Sequence, residues 1–395
     1  MKGFLNNRRV SCTLSALCFI ALGVFLVFWP ELSRIWICRL LGAALLVSGG
    51  VYVVSHFARA KGAAAVFQYD LILGAVLAVV GVWLLTTPDL IVAFLQYILG
   101  LILIVVIVLL AVFGPGMNSY TYSGQDLSQK NFAPRVPGIE RLGILDGSEK
   151  MSTTTGSKSV NAYVEKGKDD VYYWFGSDLY GRDIWTRTWE GARVSLIIAV
   201  AAAVIDMVIG MSYGLISGYF GGRVDMVMQR FLEVANGIPR LVIVTLLLLV
   251  LQPGMVTIIF ALMLTEWVGM SRIARAEMLK LKDQEFVLAS RTLGAGSFFI
   301  IFKEVLPNII GPIITQVMFS IPTAIFTEAF LSFVGLGIPV PQCSLGSLIS
   351  ELYNSFTTHP YQIIPPIVVM SLLMLSFNLV ADGLREALDP KMKSM

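Results

Sequence analysis

Four carboxylates stand within or at the ends of long apolar runs: Asp206, Glu266, Glu328 and Asp382. A lipid-facing acid at the centre of a spanning helix costs about 2.5–3.5 kcal/mol on insertion scales. Each must therefore face other helices, a partner chain or an aqueous path. Two chemistries fit: lining for a polar cargo, or a hydrogen bond between helices. Asp206 and Glu328 lie deepest and are the better path candidates, while Asp382 lies near a helix end. The strings needed for bond-making chemistry are missing. No G-x-x-x-x-G-K-[ST] phosphate loop occurs, and the "GSKS" at 156–159 lacks the upstream glycine. There is no HExxH and no G-x-S-x-G. Only His56 and His359 are present, and Cys12, Cys18, Cys38 and Cys343 form no CxxC pair, so no metal site is expected.

The elements that position these acids belong in a bilayer. The chain is 56% hydrophobic and only 14% charged, against roughly 25% charged in soluble domains. Its net charge of +3 and lack of a basic cluster give no sign of nucleic acid. Nine apolar runs approach spanning length: 12–29, 37–55, 70–87, 91–113, 193–217, 238–252, 255–271, 313–335 and 363–381. The sixth is short unless it borrows from the residues before it. Leu251-Gln252-Pro253-Gly254 predicts a tight turn after it. Gly210, Gly214 and Gly218 form a stripe of small residues that allows close helix packing, and Gly221-Gly222 predicts a helix stop. The polar segment 114–190 is too long for a hairpin turn and predicts an exposed, partly ordered loop.

Orientation follows from the basic residues. Arg272, Arg275, Lys280, Lys282, Arg291 and Lys303 fall in 271–312, whereas 336–362 holds no Lys or Arg. The first segment and the C-terminal tail are thus expected in the cytoplasm, and 336–362 outside. Three crossings separate 114–190 from 271–312, which also places 114–190 outside. Within the cytoplasmic segment, Glu285 to Ser297 has strong helix formers before Gly294. Phe286, Ala289, Ser290 and Leu293 recur at three and four, giving one apolar stripe. Such a surface helix lies on lipid or fills a groove in a partner.

That segment resembles the coupling loop of ABC importer permeases, whose pattern is Glu-Ala-Ala, three residues, Gly, nine residues, Ile, one residue, Leu-Pro. Ala289, Ser290, Gly294, Leu306 and Pro307 fall in register, with Glu285 opening the helix. Leu288 stands where the Glu is expected, and Glu304 where the Ile is. A second string, 172–199, is similar to the segment before the first core helix of the dipeptide and oligopeptide branch. Gly176, Ser177, Asp178, Gly181, Arg182 and Asp183 match its Gly-Thr-Asp-x-x-Gly-Arg-Asp, with Ser for Thr. Strings at 217–241, 327–351 and 377–393 resemble later parts of that branch, in order. The loop string 134–147 and the Tyr-Tyr-Trp-Phe before Gly176 resemble the second permease subunit of oligopeptide importers.

The resemblance implies an all-α, polytopic membrane protein with a six-helix core preceded by about three extra helices. Residues 95–395 would form the permease, with first core helix 91–113, extracytoplasmic loop 114–190 and a five-helix domain over 191–390. It implies a multi-pass chain of the bacterial cell membrane that is not itself an enzyme. Its implied partners are a second permease, two ATPase subunits that use ATP and Mg, an extracytoplasmic solute-binding protein, a peptide cargo and lipid. Dipeptides or nickel chelates are alternative cargoes. A secondary transporter driven through the intramembrane acids is a different reading, and it would require inverted repeats across the whole chain.

The front of the chain carries a repeat of another kind. Residues 22–47 align with 80–105 without a gap, with Gly23/Gly81, Pro30/Pro88, Leu41/Leu99 and Gly42/Gly100 among the identities. Each unit predicts a helix, a Pro-acid turn and a second helix. Residues 1–94 are therefore expected as an accessory hairpin segment whose second copy runs on into 95–113. These hairpins resemble small bacterial stress-related membrane proteins, which leaves a membrane scaffold or embedded enzyme as a third reading. Four crossings before an outside loop put the N-terminus outside, whereas Lys2, Arg8, Arg9, Arg59 and Lys61 favour the cytoplasm.

Overall fold

The structure is a computed structural model and describes residues 30–59, 67–153, 156–168 and 170–388. The expected first span, 12–29, lies outside the described residues. The chain divides into two compact units, Met1–Gln96 and Tyr97–Met395.

In the first unit, helices α1 (Pro30–Arg59) and α2 (Phe67–Thr86) pack side by side. Glycines set the spacing. A Cβ on Gly49 would lie 2.7 Å from the backbone of Gly74 and Ala78, and one on Gly81 2.7 Å from Leu46 N. Only hydrogen atoms fit there, so the two backbones nearly touch, as small residues permit in lipid. The two copies of the Pro-acid turn each open a helix, at Pro30 for α1 and Pro88 for α3 (Pro88–Phe113).

The second unit begins within α3 and is helical, with one two-stranded exception. Helix α4 (Ile184–Phe220) is a 37-residue rod with a wide π turn at Asp206–Gly210. Its small-residue stripe lies on helix α7 (Met255–Leu281): a Cβ on Gly214 would sit 2.1 Å from Ser271 O, and one on Gly210 2.5 Å from Trp267 O. Gly221 and Gly222, with φ of +60° and +53°, then reverse the chain, as the doublet predicted. Helix α5 (Gly222–Gly237) and helix α6 (Arg240–Val250) follow, separated at Ile238-Pro239. An 11-residue helix spans about 16 Å, about half of the bilayer core. The run 238–252 is thus too short to span alone, and Pro239 parts it from α5 because proline cannot continue the hydrogen-bond ladder. Helix α8 (Glu285–Thr292) is the short cytoplasmic element. The rod α9 (Ser297–Leu336) contains π turns at Ile300–Val305 and Ser332–Leu336. Helices α10 (Leu345–Tyr353) and α11 (Ile364–Leu388) complete the unit. Among the described residues, six helices are long and apolar enough to cross a membrane.

Two apolar cores hold the unit together. One joins α3, α4, α7, α9 and α11 through Ile107, Trp189, Ile198, Ile258, Ile325 and Phe377. The other lies towards the cytoplasmic segment and includes Leu215, Met270, Met278, Val287, Ile300 and Ile309. The segment 114–190 is more ordered than its polarity predicted. Phe132, Tyr163 and Tyr173 are buried in a small aromatic core of their own. Strands β1 (Ser148–Thr153) and β2 (Gly156–Asn161) pair antiparallel, with Ser148 opposite Asn161.

Candidate functional site

The basic segment expected in the cytoplasm is built around α8. Its eight residues are too few to form a stable helix alone. One buried side chain, Val287, roots it in the cytoplasmic core between α7 and α9. The far end is closed by Gly294. Its φ of +86° lets Gly294 N donate to Arg291 O at 3.1 Å and Ala295 N to Ser290 O at 3.0 Å. This pair of bonds is the Schellman closure, which satisfies carbonyls left unpaired by the end of a helix.

With Val287 turned inward, the predicted stripe is turned outward. Phe286 and Ala289 are exposed, Ser290 is half-buried, and Leu293 is 88% exposed. Past the turn, Phe298, Phe299 and Phe302 are exposed as well. Glu285 is exposed in the first turn, where the helix dipole favours an acid. Leu306 and Pro307 lie across the π turn at the head of the next helix. Pro307 is exposed, but Leu306 is half-buried against the cytoplasmic core, so it supports the surface from beneath.

Charged contacts fasten this end. Arg275 Nε and Nη2 each donate to the Asp225 carboxylate at 2.6 Å, and Ser217 Oγ donates to the same carboxylate at 2.6 Å. These bonds join α4, α5 and α7. The Arg291 guanidinium lies 5.4 Å from the Tyr219 ring centre, tying α8 back to α4. The sequence reading counted Arg275 and Arg291 only as charges and did not single out Asp225.

The outer string makes a buried lock. Asp178 accepts from Arg182 Nε at 2.7 Å and Arg187 Nη1 at 2.8 Å. Glu351 on α10 accepts from Arg187 Nη2 at 2.7 Å and from Arg182 Nη2. Two guanidiniums thus sit between two carboxylates, with Arg182, Arg187 and Asp178 almost wholly buried. Burial alone raises Glu351, but the Arg187 and Arg182 charges outweigh it and hold the carboxyl below its ordinary range. Asp183 caps α4, accepting from Thr186 N at 2.8 Å and Asn118 Nδ2 at 2.7 Å, while burial pushes its carboxyl up. Ser177 Oγ donates to Gln129 O at 2.6 Å. Gly181, at φ +71°, lies so close to the Asp126 carbonyl that a Cβ would be 1.8 Å away. Gly176 likewise has a positive φ of +85°. The string therefore fixes the outer loop to α4 and α10. Arg187 is one helical turn past Asp183, a spacing the sequence displayed; nothing in the sequence pointed to Glu351.

The two deep acids differ. Glu328 accepts from Ser332 at 2.7 Å, Ser344 at 2.5 Å and Ser195 at 3.1 Å, and is 1% exposed. It ties α9 to α4 and to the segment before α10. Asp206 accepts from Ser320, while its Oδ1 has no partner among the described residues. Asp206 and Glu328 share no contact partner. Asp382 is exposed near the end of α11.

Comparison with known proteins agrees with this architecture. Residues 210–394 match the family described as binding-protein-dependent transport system inner membrane component. Residues 97–134 match the N-terminal TM domain of oligopeptide transport permease C, and 14–86 a short repeat of unknown function. The oligopeptide transport system permease protein OppC of Bacillus subtilis is 42% identical over 294 residues, covering 74% of this chain and 85% of its own length. The dipeptide transport system permease protein DppC of the same organism is 40% identical over 295 residues, covering 74% and 81%. A chain from inward-facing MetNI methionine ABC transporter crystals aligns at 16% identity and a TM-score of 0.42, covering 50% of this chain and 94% of its own length.

Proposed function

This chain belongs to the family of binding-protein-dependent transport system inner membrane components, and from that premise we propose how its parts divide the work of import. It is a multi-pass inner-membrane permease of the oligopeptide and dipeptide ABC transporter type, a transport subunit and not an enzyme. ATP, with Mg, is hydrolysed by two partner ATPase subunits. A second permease completes the path, and an extracytoplasmic binding protein delivers an oligopeptide. The relatives' printed names, oligopeptide and dipeptide permeases, support a peptide cargo.

The observation that carries the coupling assignment is the inversion of α8. A helix rooted by one buried valine presents Phe286, Ala289 and Leu293 to the cytoplasm with no partner in its own unit. Exposed apolar stripes of this kind are the anchors of helix-in-groove recognition. Glu285, Ala289, Ser290 and Gly294 form and close the docking helix, while Leu306 and Pro307, just past the first π turn of α9, pass its movement into the rod. Gly176, Ser177, Asp178, Gly181, Arg182 and Asp183 brace the loop that meets the binding protein. Asp206 and Glu328 are both buried within the chain; Asp206, held by the single bond from Ser320, is the acid that a movement of α9 would bring to the path.

The test is reconstitution. The chain, its second permease, both ATPases and the binding protein should give ATP-dependent peptide uptake in liposomes. Leu293→Asp should abolish uptake while the chain still inserts. Uptake by the purified chain alone, with ATP, would overturn the division of labour.

A further inference from the structure

Between Val136 and Asp146 the outer loop does something unusual for a polar segment. Ile139 is 41% exposed, Leu142 76%, Ile144 60% and Leu145 44%. Four large aliphatic side chains within seven residues form an exposed ridge, and such a patch on a surface marks an interaction site.

The ridge is held in place. Val136 N donates to Leu145 O at 3.1 Å, and Gly147 N to Pro134 O at 3.1 Å. Arg135 pairs with Glu140 at 2.7 Å and lies 4.6 Å from the Tyr172 ring centre. Leu145 itself sits at φ +53°, a left-handed conformation that a leucine rarely adopts. Backbone strain of this kind persists only where the surroundings over-determine it, and it clusters at binding sites.

The depth of the ridge is set by its neighbours. Val136 and Leu145 share a concavity of about 370 Å³ with Trp174, Trp185, Tyr361 and Ile364. Trp185 is the second residue of α4, and Ile364 is the first of α11. Trp185 Nε1 also donates to Gly114 O, just past the end of α3, at 2.9 Å. Three spans thus begin or end beside the slot, at the outer boundary between hydrocarbon and water. Trp and Tyr concentrate at that level. Arg141, exposed beside Leu142, adds a cation of the kind that anionic headgroups attract.

We infer that the ridge Ile139–Leu145 and the aromatic slot beneath it form a binding surface for outer-leaflet phospholipid. The aliphatic side chains enter the upper acyl region, Arg141 meets a phosphate, and the slot accepts an acyl segment. Aliphatics beside a basic residue, set at the interface, are the chemistry of a segment that lies in the headgroup layer. A docking face for a soluble protein would not need an apolar slot at the mouths of three spans.

The native chain in nanodiscs of phosphatidylethanolamine and phosphatidylglycerol tests this, with a phospholipid carrying a diazirine in its upper acyl chain. After photolysis, adducts on 136–146 should match in yield those on Leu109 and Val112, exposed near the outer end of α3. The double variant Leu142→Asp, Ile144→Asp should lower adducts on that peptide several-fold and leave those on α3 unchanged. Adducts confined to the spans would overturn the inference. So would hydrogen-exchange protection of 139–145 that appears only when the solute-binding protein is added.

Discussion

Val287→Ala is the sharpest perturbation of the coupling surface, because it changes nothing that a partner would touch. Val287 is the one buried side chain on α8 and is wholly enclosed by the cytoplasmic core. Removing two methyl carbons forfeits about 0.8 kcal/mol each, or about 1.6 kcal/mol before any cavity term. At about 1.4 kcal/mol per decade, the seated form of α8 should lose roughly 15-fold against the detached form. The helix has no second apolar root, so the loss falls on this local equilibrium rather than on global stability. Amide exchange of 285–293 in nanodiscs should quicken by about that factor, while exchange in α4 and α7 stays fixed. In the reconstituted importer, ATP consumed per peptide should rise. Unchanged protection of 285–293 in a correctly inserted Val287→Ala chain would refute the claim that this side chain roots the helix.

Gly294→Ala should fray the end of α8: nothing crowds the new Cβ, but the left-handed backbone costs a non-glycine residue about 1–2 kcal/mol, readable as faster exchange at Gly294 and Ala295. Gly214→Ala should sharply lower accumulation, because its Cβ would meet Ser271 O at 2.1 Å, whereas Gly269→Ala, with open space around it, should be silent on immunoblots. Glu351→Gln should leave Arg182 and Arg187 sharing one carboxylate and cost towards the low end of about 3–5 kcal/mol, since Glu351 is partly exposed, seen as easier proteolysis of the outer loop. Glu351 titrates lower in the folded chain, so its stabilisation is present above the ordinary carboxylate range and is lost as external pH falls through its folded value; protease sensitivity of right-side-out vesicles should rise on acidification in wild type and not in Glu351→Gln. Glu328→Ala should reduce accumulation by stranding three serine hydroxyls, whereas Asp206→Ala should accumulate normally and alter uptake; the reverse pattern would exchange their roles.

Where geometry follows from spacing, the sequence displayed it. The Gly210-Gly214-Gly218 stripe could only bring two backbones together, and it lies on α7. The Gly221-Gly222 stop and the Gly294 turn followed from backbones that need positive φ. The run 238–252 was legible as too short, and Pro239 marks where it parts from α5. The phase of α8 was half legible: the stripe was visible, but its pattern alone does not say which face turns inward. Val287, outside the stripe, decides it by packing into the core that α4, α7 and α9 share. Long-range pairs were invisible. Glu351 lies 169 residues from Arg182, and Ser195 lies 133 residues from Glu328, with no periodicity linking either pair.

The contrast between Glu328 and Asp206 shows how one residue type serves two purposes in a membrane. Glu328 receives three hydroxyl donors from residues beside separate elements, so its charge is spread into bonds that staple those elements together. A carboxylate satisfied in this way has three of its roughly four acceptor sites committed, which leaves little to offer a passing cargo. Asp206 sits in the π turn of α4, where the widened helix turns aside one residue's worth of ladder. It accepts one bond from Ser320 on α9 and keeps one oxygen unmatched among the described residues. An unmatched buried oxygen costs about 1–3 kcal/mol unless something outside the chain supplies a donor. That oxygen is enclosed within the chain, so an outside donor reaches it only when α4 and α9 part. Glu328 is thus the fixed staple, and Asp206 the acid that a movement of α9 can uncover. Intramembrane acidity alone therefore does not identify a path residue; the number of donors already committed to the acid does.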